Sequence, residues 1–402
     1  MSVADLVKPS VLEPTDEQAV AALFRDSILD GLPFVIRGGA SRPVGKPVEQ
    51  PHHVLSTAKL SGIVDYEPAE MVMIAKAGTP MAEIEAALAK GRQRMIFEPM
   101  DYRPLLGTKG APTIGGAIAS NASGPRRIVT GAARDSLLGV RFVNGTGDIV
   151  KTGGRVMKNV TGLDLVKLLC GSWGTLGVMS EVTFKVVPEV ETEQTLVLHG
   201  LTAGDAATAM AAAMATPCEV NGAAHMPAKA AAKIGAFDGH SVTLLRVEGF
   251  QNSVKIRVGK LMDILRSHGE MTVQEGSASR QIWRDIRDVE PFDDGTMKPV
   301  WRVSVAPMAG HQLVAALGID DAFYDWQGGL VWLRMDGDPE AQKVRNAVAQ
   351  VGGGHATLVR ASVEERAKTP VFHPQDAAVT KLSEAIRLRF DPANRLNPGW
   401  MG

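Results

Sequence analysis

Three glycine-rich segments constrain this sequence more than any other feature. They run from residue 113 to 125, from 158 to 162 and from 171 to 178. Because glycine has no Cβ atom, it lets the backbone approach another group closely and adopt positive φ angles. One such segment is typical of a tight turn. Several of them in an otherwise globular chain indicate backbone that is held against a bound cofactor.

The composition narrows the class of protein. A chain of 402 residues is too long for one ordinary core, which predicts two domains. Its hydrophobic content of 45% and charged content of 22% are typical of a globular protein, and a net charge of −1 argues against a nucleic-acid surface. No apolar run approaches the roughly 18 residues of a membrane span, and the first residues lack a signal-peptide pattern. We therefore expect a cytoplasmic protein.

Potential metal ligands are sparse. The only cysteines, Cys170 and Cys218, exclude a disulfide framework and any four-thiolate iron–sulfur or zinc site within this chain. The nine histidines are scattered, and no pair has the spacing of ligands on one helix face. We expect no metal site here.

A phosphate-binding loop is predicted directly after the first apolar strand. Residues 39–46 resemble a P-loop, but the spacing is one residue too long and Pro47 stands where Ser or Thr would bind Mg²⁺. A Gly-x-Gly-x-x-Gly turn between a strand and a helix is also missing, which argues against a Rossmann site. The strand at 33–36 leads instead into Arg-Gly-Gly-Ala-Ser at 37–41. Successive N–H groups in such a loop can converge on an anion, although a plain turn would look the same.

Apolar patterning predicts an α+β fold. Up to residue 188 the chain alternates short strands and helices, and an acidic run to Glu193 marks a boundary. Beyond it, strands near 242–247, 301–305, 329–335 and 356–359 alternate with helical stretches. This order predicts a second domain with one sheet that is covered by helices.

Five segments together with the C-terminal tail at 391–399 resemble, in order and spacing, the FAD-binding domain of the vanillyl-alcohol oxidase / p-cresol methylhydroxylase (PCMH) superfamily. The five segments are 37–41, 113–116, 121–125, 158–162 and 171–178. Within the superfamily, residues 124–127 and 155–160 are most similar to FAD-binding subunits of bacterial glycolate oxidase (glycolate dehydrogenase). The likeness is strong over residues 10–190 and the tail, and faint between them.

The resemblance implies a domain organisation. Residues 1–190 would form a two-lobed, PCMH-type FAD-binding domain, with lobes of about 1–100 and 101–190. Residues 191–375 would form an α+β cap domain with a mainly antiparallel sheet. Residues 376–402 would form a helix and a tail that packs back on the FAD-binding domain.

The resemblance also assigns the cofactor residues. The loop at 37–41 would hold the pyrophosphate, residues 114–116 and 121–124 would line the ribityl and ring region, and 177–178 would face the isoalloxazine edge. Ala40 stands where members with a covalently tethered flavin carry histidine, which implies non-covalent FAD. The predicted cofactor residues are Arg37, Gly38, Gly39, Ala40, Ser41, Thr113, Ile114, Gly115, Gly116, Asn121, Ser123, Gly124, Gly177, Val178 and Asn397.

The implied reaction is oxidation of glycolate to glyoxylate within a complex. This chain would work with a catalytic FAD subunit and an iron–sulfur subunit, and it could be held at the inner face of the membrane through them. One departure supports that division of labour. Catalytic relatives carry a His-x-Gly-Asp-Gly-Asn-x-His-like segment and a later Glu-His pair, whereas residues 354–360 here contain one histidine and no carboxylate.

Two alternatives remain open. The chain could be a self-sufficient FAD-linked dehydrogenase of a small 2-hydroxy acid such as D-lactate. It would then use Arg284 or Arg287 for the substrate carboxylate and His355 or His373 as base, although a solvated arginine face and structural histidines would produce the same pattern. It could also be a scaffold that keeps the fold without the flavin.

Overall fold

The computed structural model describes residues 10–26, 31–155, 163–234, 237 and 239–401. Three β-sheets organise these residues: two in the N-terminal half of the chain and one in the C-terminal half. The predicted segment at 158–162 lies outside the described residues, as does the segment at 155–160 except for Arg155.

The first sheet contains three short parallel strands. Its central strand is β3 (His53–Ser56), which lies between β1 (Val11–Leu12) and β2 (Phe34–Arg37). Helix α1 (Glu17–Asp26) packs its buried side, including Phe24, against this sheet. Parallel strands need crossover connections and are covered by other elements. Residues 37–41, which begin at the end of β2, therefore lie at the edge of a buried sheet.

The second sheet is antiparallel. Its strands are β4 (Ile63–Glu67), β5 (Val72–Lys76), β6 (Gln93–Met95), β7 (Leu137–Val143), β8 (Ile149–Gly153) and β9 (Val178–Pro188). The order is β4-β5-β9-β7-β8, and β6 pairs with β9. The chain thus changes sheets between residues 56 and 63, earlier than the lobe boundary near residue 100 that we infer from the sequence. The divisions at 190 and 375 remain proposals.

Short helices connect the strands of the second sheet. They are α2 (Met81–Lys90), α3 (Arg103–Leu106), α4 (Ile114–Ala119), α5 (Arg127–Thr130), α6 (Ala133–Ser136) and α7 (Leu165–Leu169). Helix α2 buries Met81, Ile84 and Leu88 on one face, as their spacing predicts, and Gly91 follows its end. Thr113 caps the start of helix α4, because its side chain accepts a hydrogen bond from the Gly116 N–H at 3.2 Å.

The cap domain contains one antiparallel sheet. Its strands are β10 (Thr192–His199), β11 (Gly222–Met226), β12 (Val242–Gly249), β13 (Met271–Glu275), β14 (Val300–Ser304), β15 (Ala322–Asp325), β16 (Leu330–Arg334) and β17 (His355–Arg360). Their order is β13-β10-β12-β11-β15-β16-β14-β17. The helices are α8 (Ala203–Met214), α9 (Ala228–Ala231), α10 (Gln251–Ile264), α11 (Gly276–Arg287), α12 (Gly310–Leu317), α13 (Ala341–Gln350) and α14 (Val363–Lys368). The predicted α+β fold class with an antiparallel cap sheet is confirmed.

The C-terminal segment returns to the FAD-binding half of the chain, as predicted. After α15 (Ala377–Phe390), the Phe34 N–H donates to the Arg395 carbonyl at 2.7 Å and the Asn397 N–H donates to the Phe34 carbonyl at 2.9 Å. The tail thereby adds a parallel bridge to β2. Only the end of α15 packs on the core, because Ile386 and Phe390 contact the second sheet while Leu382 is exposed.

Candidate functional site: a glycine-lined cleft

A cleft of about 500 Å³ lies between the loop that follows β2 and the start of α4. Arg287 of α11 contributes to its lining, so the cap domain helps to close it. Ten of the fifteen predicted cofactor residues line this cleft: Arg37, Gly38, Gly39, Ala40, Ser41, Thr113, Gly115, Gly116, Gly177 and Asn397. Segments that are far apart in the sequence are therefore brought to one surface.

Five predicted residues do not line the cleft: Ile114, Asn121, Ser123, Gly124 and Val178. Ile114 and Val178 are buried in the core. The Gly124 carbonyl accepts a hydrogen bond from Trp326 Nε1 of the cap domain at 3.0 Å. The segment at 121–125 thus joins the two domains here, and its contact with a flavin remains a prediction.

The glycines of the cleft serve two different purposes. A Cβ atom on Gly39 would overlap the Ala111 carbonyl oxygen, and one on Gly115 would lie 2.6 Å from the Ala77 carbonyl oxygen. These two glycines let neighbouring segments of backbone pack together. A Cβ on Gly116 would meet only Thr113 Oγ1, at 3.2 Å, so its Cα is otherwise open. The open backbone at this glycine fits a large cofactor that is held partly by backbone groups.

Asn397 fastens the tail to both sides of the cleft. Its Oδ1 accepts a hydrogen bond from the Ile36 N–H at 2.8 Å, and its Nδ2 donates to the Trp173 carbonyl at 2.7 Å. The side chain is buried, so both bonds are shielded from water. Trp173 of the predicted segment at 171–178 also lines the cleft, as do Arg42 and Trp400, which the sequence did not single out. The only signal of Arg42 and Trp400 was their position beside predicted segments.

The predicted histidines do not reach the cleft. The rings of His355 and His373 are 5.8 Å apart, and neither residue lines the cleft or the second cavity described below. His373 Nδ1 accepts a hydrogen bond from the Ala356 N–H at 3.2 Å, and burial lowers its pKa. Both histidines therefore make their described contacts away from the two cavities.

The two predicted arginines lie at a second cavity of about 280 Å³ between the domains. Arg284 is exposed and donates to Gln281 Oε1 at 2.8 Å. Arg287 donates two hydrogen bonds to Asp288, at 2.8 and 2.7 Å. The structure therefore places both arginines near the domain boundary, but Arg287 already has a carboxylate partner.

A buried network of charges joins the two domains beside this cavity. It consists of Arg94, Glu98 and Arg126 from the FAD-binding half and of Arg246 and Glu248 from β12, and we call it the interdomain network. Arg246 donates to both Glu98 oxygens at 2.9 Å. Burial alone would raise the pKa of Glu98, but the charges of Arg246 and Arg126 outweigh it and lower the pKa to about 2.

Glu248 is the second carboxylate of the interdomain network. Arg126 Nη2 donates to it at 2.6 Å, Arg94 Nη2 at 3.0 Å and Asn221 Nδ2 at 2.9 Å. Burial would raise its pKa, but Arg246 and Arg126 together hold the pKa far below its usual range. Each buried carboxylate therefore has at least two guanidinium partners.

Among the residues that the structure describes, no three His, Cys, Asp or Glu side chains stand together as potential metal ligands. No described helix has both the length and the apolar character needed to cross a bilayer. Cys170 and Cys218 are buried free thiols.

The chain is similar both to a known domain family and to individual proteins of known sequence. The family profile described as "FAD binding domain" matches residues 9–153. Over 394 residues the chain is 32% identical to glycolate oxidase subunit GlcE of Escherichia coli (strain K12), which covers 96% of this chain and 97% of that subunit. It is 31% identical over 200 residues to a D-lactate dehydrogenase of Anaerostipes hadrus, covering 49% of this chain and 40% of that enzyme.

Solved structures agree on the fold. The chain superposes on 4-ethylphenol oxidase from Gulosibacter chungangensis with a TM-score of 0.72, covering 98% of this chain and 88% of the oxidase. Their sequence identity is 14%, so this likeness concerns the fold alone.

Proposed function

The chain belongs to the GlcE family of glycolate oxidase subunits, and on that premise we propose that it is the FAD-binding subunit of a complex that oxidises glycolate to glyoxylate. It is an FAD-dependent oxidoreductase, and the family resemblance inferred from its motifs is confirmed. FAD-linked oxidation of a hydroxy acid is supported by its similarity to glycolate oxidase and D-lactate dehydrogenase sequences. Glycolate as the substrate and the make-up of the complex belong to the proposal.

The observation that carries the proposal is the glycine-lined cleft that receives the tail. The loop at 37–41 and residues 113–116 would hold FAD through backbone groups, and Asn397 would fix the tail beside it. Bound FAD supplies a two-electron acceptor, while the protein supplies binding, orientation and electrostatics. Ala40 offers no side chain for a covalent link, so this flavin would be released by acid precipitation.

A division of labour between subunits follows from the residues around the cleft. His355 and His373, the histidines predicted as bases, line neither described cavity. Two cysteines cannot hold an iron–sulfur cluster, so electrons would leave through another chain. We therefore assign substrate turnover to a catalytic FAD subunit and electron transfer to an iron–sulfur subunit. The complex would be cytoplasmic or held at the membrane by these partners.

A second candidate is a self-sufficient dehydrogenase of a small 2-hydroxy acid. Similarity to D-lactate dehydrogenase over about half of the chain favours it. The site residues do not, because Arg287 is paired with Asp288 and the two histidines lie elsewhere.

An anaerobic flavin-reduction assay separates the two candidates. The chain is loaded with FAD and mixed with glycolate or D-lactate, first alone and then with the subunits that are encoded beside it. The proposed function predicts that the visible flavin band stays unchanged for the isolated chain and bleaches only with the partners. Bleaching of the isolated chain by either acid would contradict it in favour of the second candidate.

A further inference from the structure

Two exposed arginines of helix α11 have no carboxylate partner among the described residues. Arg280 and Arg284 stand one turn apart on the same face of the helix. The side chain of Arg284 donates to Gln281 Oε1 at 2.8 Å, and Arg280 forms no hydrogen bond or ion pair within the described part of the chain. Asp285, the nearest acid in the sequence, accepts instead from Gln281 Nε2 at 2.6 Å. Both guanidinium groups are therefore open to a partner from outside the chain.

Both arginines line the second cavity, the space of about 280 Å³ between the two domains. Four glutamates line it as well: Glu85, Glu98, Glu189 and Glu193. None of them forms an ion pair with Arg280 or Arg284 among the described residues, because Glu98 and Glu189 already pair with arginines of the interdomain network. Burial raises the pKa of Glu85 and Glu193, as expected of carboxyl groups that no guanidinium binds directly.

The second cavity adjoins the cleft assigned to FAD. Glu85, Pro99 and Arg287 line both of them, so the two spaces share a wall. Arg287 is the third arginine on this side of α11, and its two hydrogen bonds to Asp288 hold it in that wall. A protein segment that enters the second cavity would therefore lie beside the flavin cleft.

The size and charge of this surface fit one kind of contact. A permanent association between subunits buries a large and mainly apolar area, whereas electron-transfer partners meet over small areas and are guided by complementary charge. The second cavity is small and concave, and it carries two accessible guanidinium groups next to the cleft. These properties match the partner that removes electrons better than the partner that turns over substrate.

We propose that the second cavity is the docking site for an acidic surface segment of the electron-accepting iron–sulfur subunit, with Arg280 and Arg284 as its charge contacts. This inference rests on the proposed function, because it names where the partner that receives the electrons binds. Each guanidinium offers paired N–H donors that match the carboxylates of such a segment. The catalytic FAD subunit would bind at another surface of the chain.

Calorimetric titration of the FAD-loaded chain with the purified iron–sulfur subunit, at low and at physiological salt, tests this proposal. Arg280→Glu combined with Arg284→Glu should weaken binding at least about tenfold at low salt, because it places like charges against the acidic segment. Arg280→Gln combined with Arg284→Gln removes the charges without reversing them, so its affinity should fall between. Added salt should weaken the binding of the wild type more than that of the Gln variant, because it screens exposed charges.

Arg389→Glu is the matched control. It reverses an exposed arginine on α15 that lines neither cavity, so it should leave the affinity for the iron–sulfur subunit unchanged. All variants should take up FAD as the wild type does, since the substituted side chains are exposed and do not line the flavin cleft. If the double Glu variant loses FAD, the double Gln variant decides by the same criteria.

Three results would overturn the proposal. The first is equal affinity of the double Glu variant and the wild type for the iron–sulfur subunit. The second is a loss of binding to the catalytic FAD subunit with unchanged binding to the iron–sulfur subunit, which would assign the cavity to the other partner. The third is a wild-type chain that does not bind the iron–sulfur subunit. Bleaching of the flavin in the presence of the partners would still support the proposed function in each case, so the two failures are distinguishable.

Discussion

Two groups of charged residues lie at the same domain boundary and differ in their partners. In the interdomain network, Glu98 and Glu248 are each held by two or more guanidinium groups. In the second group, Arg42 and Arg127 donate to neutral oxygens, and the side chain of Arg302 contacts only the Trp326 ring. Removing one partner of a buried ion pair is costly because it leaves an uncompensated charge, whereas removing a charge that has no ion pair is not. The comparison predicts that the network, but not the second group, stabilises the junction.

The largest expected effect comes from breaking the network. Arg246→Met should lower the free energy of unfolding by about 3–5 kcal/mol, because it leaves buried carboxylates without their main partner. Urea unfolding measures this loss, with Arg389→Met as the exposed control. If the Arg246 variant lost no more than its control, the network would not be a structural clamp.

Glu98 of the interdomain network and the buried Asp325 at the end of β15 should respond to pH in opposite directions. The pKa of Glu98 falls from 4.5 to about 2 on folding, so its contribution to the free energy of unfolding is present above pH 4.5 and is lost as the pH falls toward 2. Burial raises the pKa of Asp325 from 3.8 to about 7, so its contribution to the free energy of unfolding is present below pH 3.8 and is lost as the pH rises toward 7. Each pKa unit corresponds to about 1.4 kcal/mol.

The free energy of unfolding, measured from pH 4 to 8, isolates the contribution of Asp325 to stability. Asp325→Asn should remove the decline in stability between pH 4 and 7 that Asp325 causes in the wild type. Parallel pH profiles for the variant and the wild type would show that Asp325 titrates at its ordinary pKa.

The smallest expected effect is the stability change on removing Arg302. Arg302→Met should change the free energy of unfolding by no more than about 1 kcal/mol, because the Arg302 side chain forms no ion pair among the described residues and contacts only the Trp326 ring. Thermal unfolding in the absence of glycolate measures it. A loss comparable to that of Arg246→Met would mean that Arg302 is a structural residue, and the contrast between the two groups would disappear.

Much of the fold could be predicted from local patterns. The helix at Met81–Lys90 follows from its apolar spacing, and the hairpin of β7 and β8 follows from alternating strands around an Asn-Gly turn. The pairing of β5 with β9 could not be predicted in this way. The partner of β5 comes from about 100 residues later in the chain, and no local pattern specifies it.

The cleft could be predicted from its glycines, but the charges around it could not. Gly39 and Gly115 are required by close backbone approaches, which leave a signal in the sequence. Arg302 and Arg127 meet the same Trp326 ring only through the packing of the cap on the FAD-binding half. The one local hint was a charged residue within the apolar strand at 300–303. The helical spacing of Arg284 made it a candidate for the substrate carboxylate, although its side chain is exposed.

Titration of the apo chain with FAD, followed by the visible flavin spectrum, tests the central claim most directly. The account predicts one FAD per chain, and at least about tenfold weaker binding for Gly39→Ala, because its Cβ would displace the loop against Ala111. Gly259→Ala, at an open position of α10, should bind like the wild type. A wild-type chain that takes up no FAD, or a Gly39→Ala variant that binds it equally well, would contradict the assignment of this cleft to the flavin.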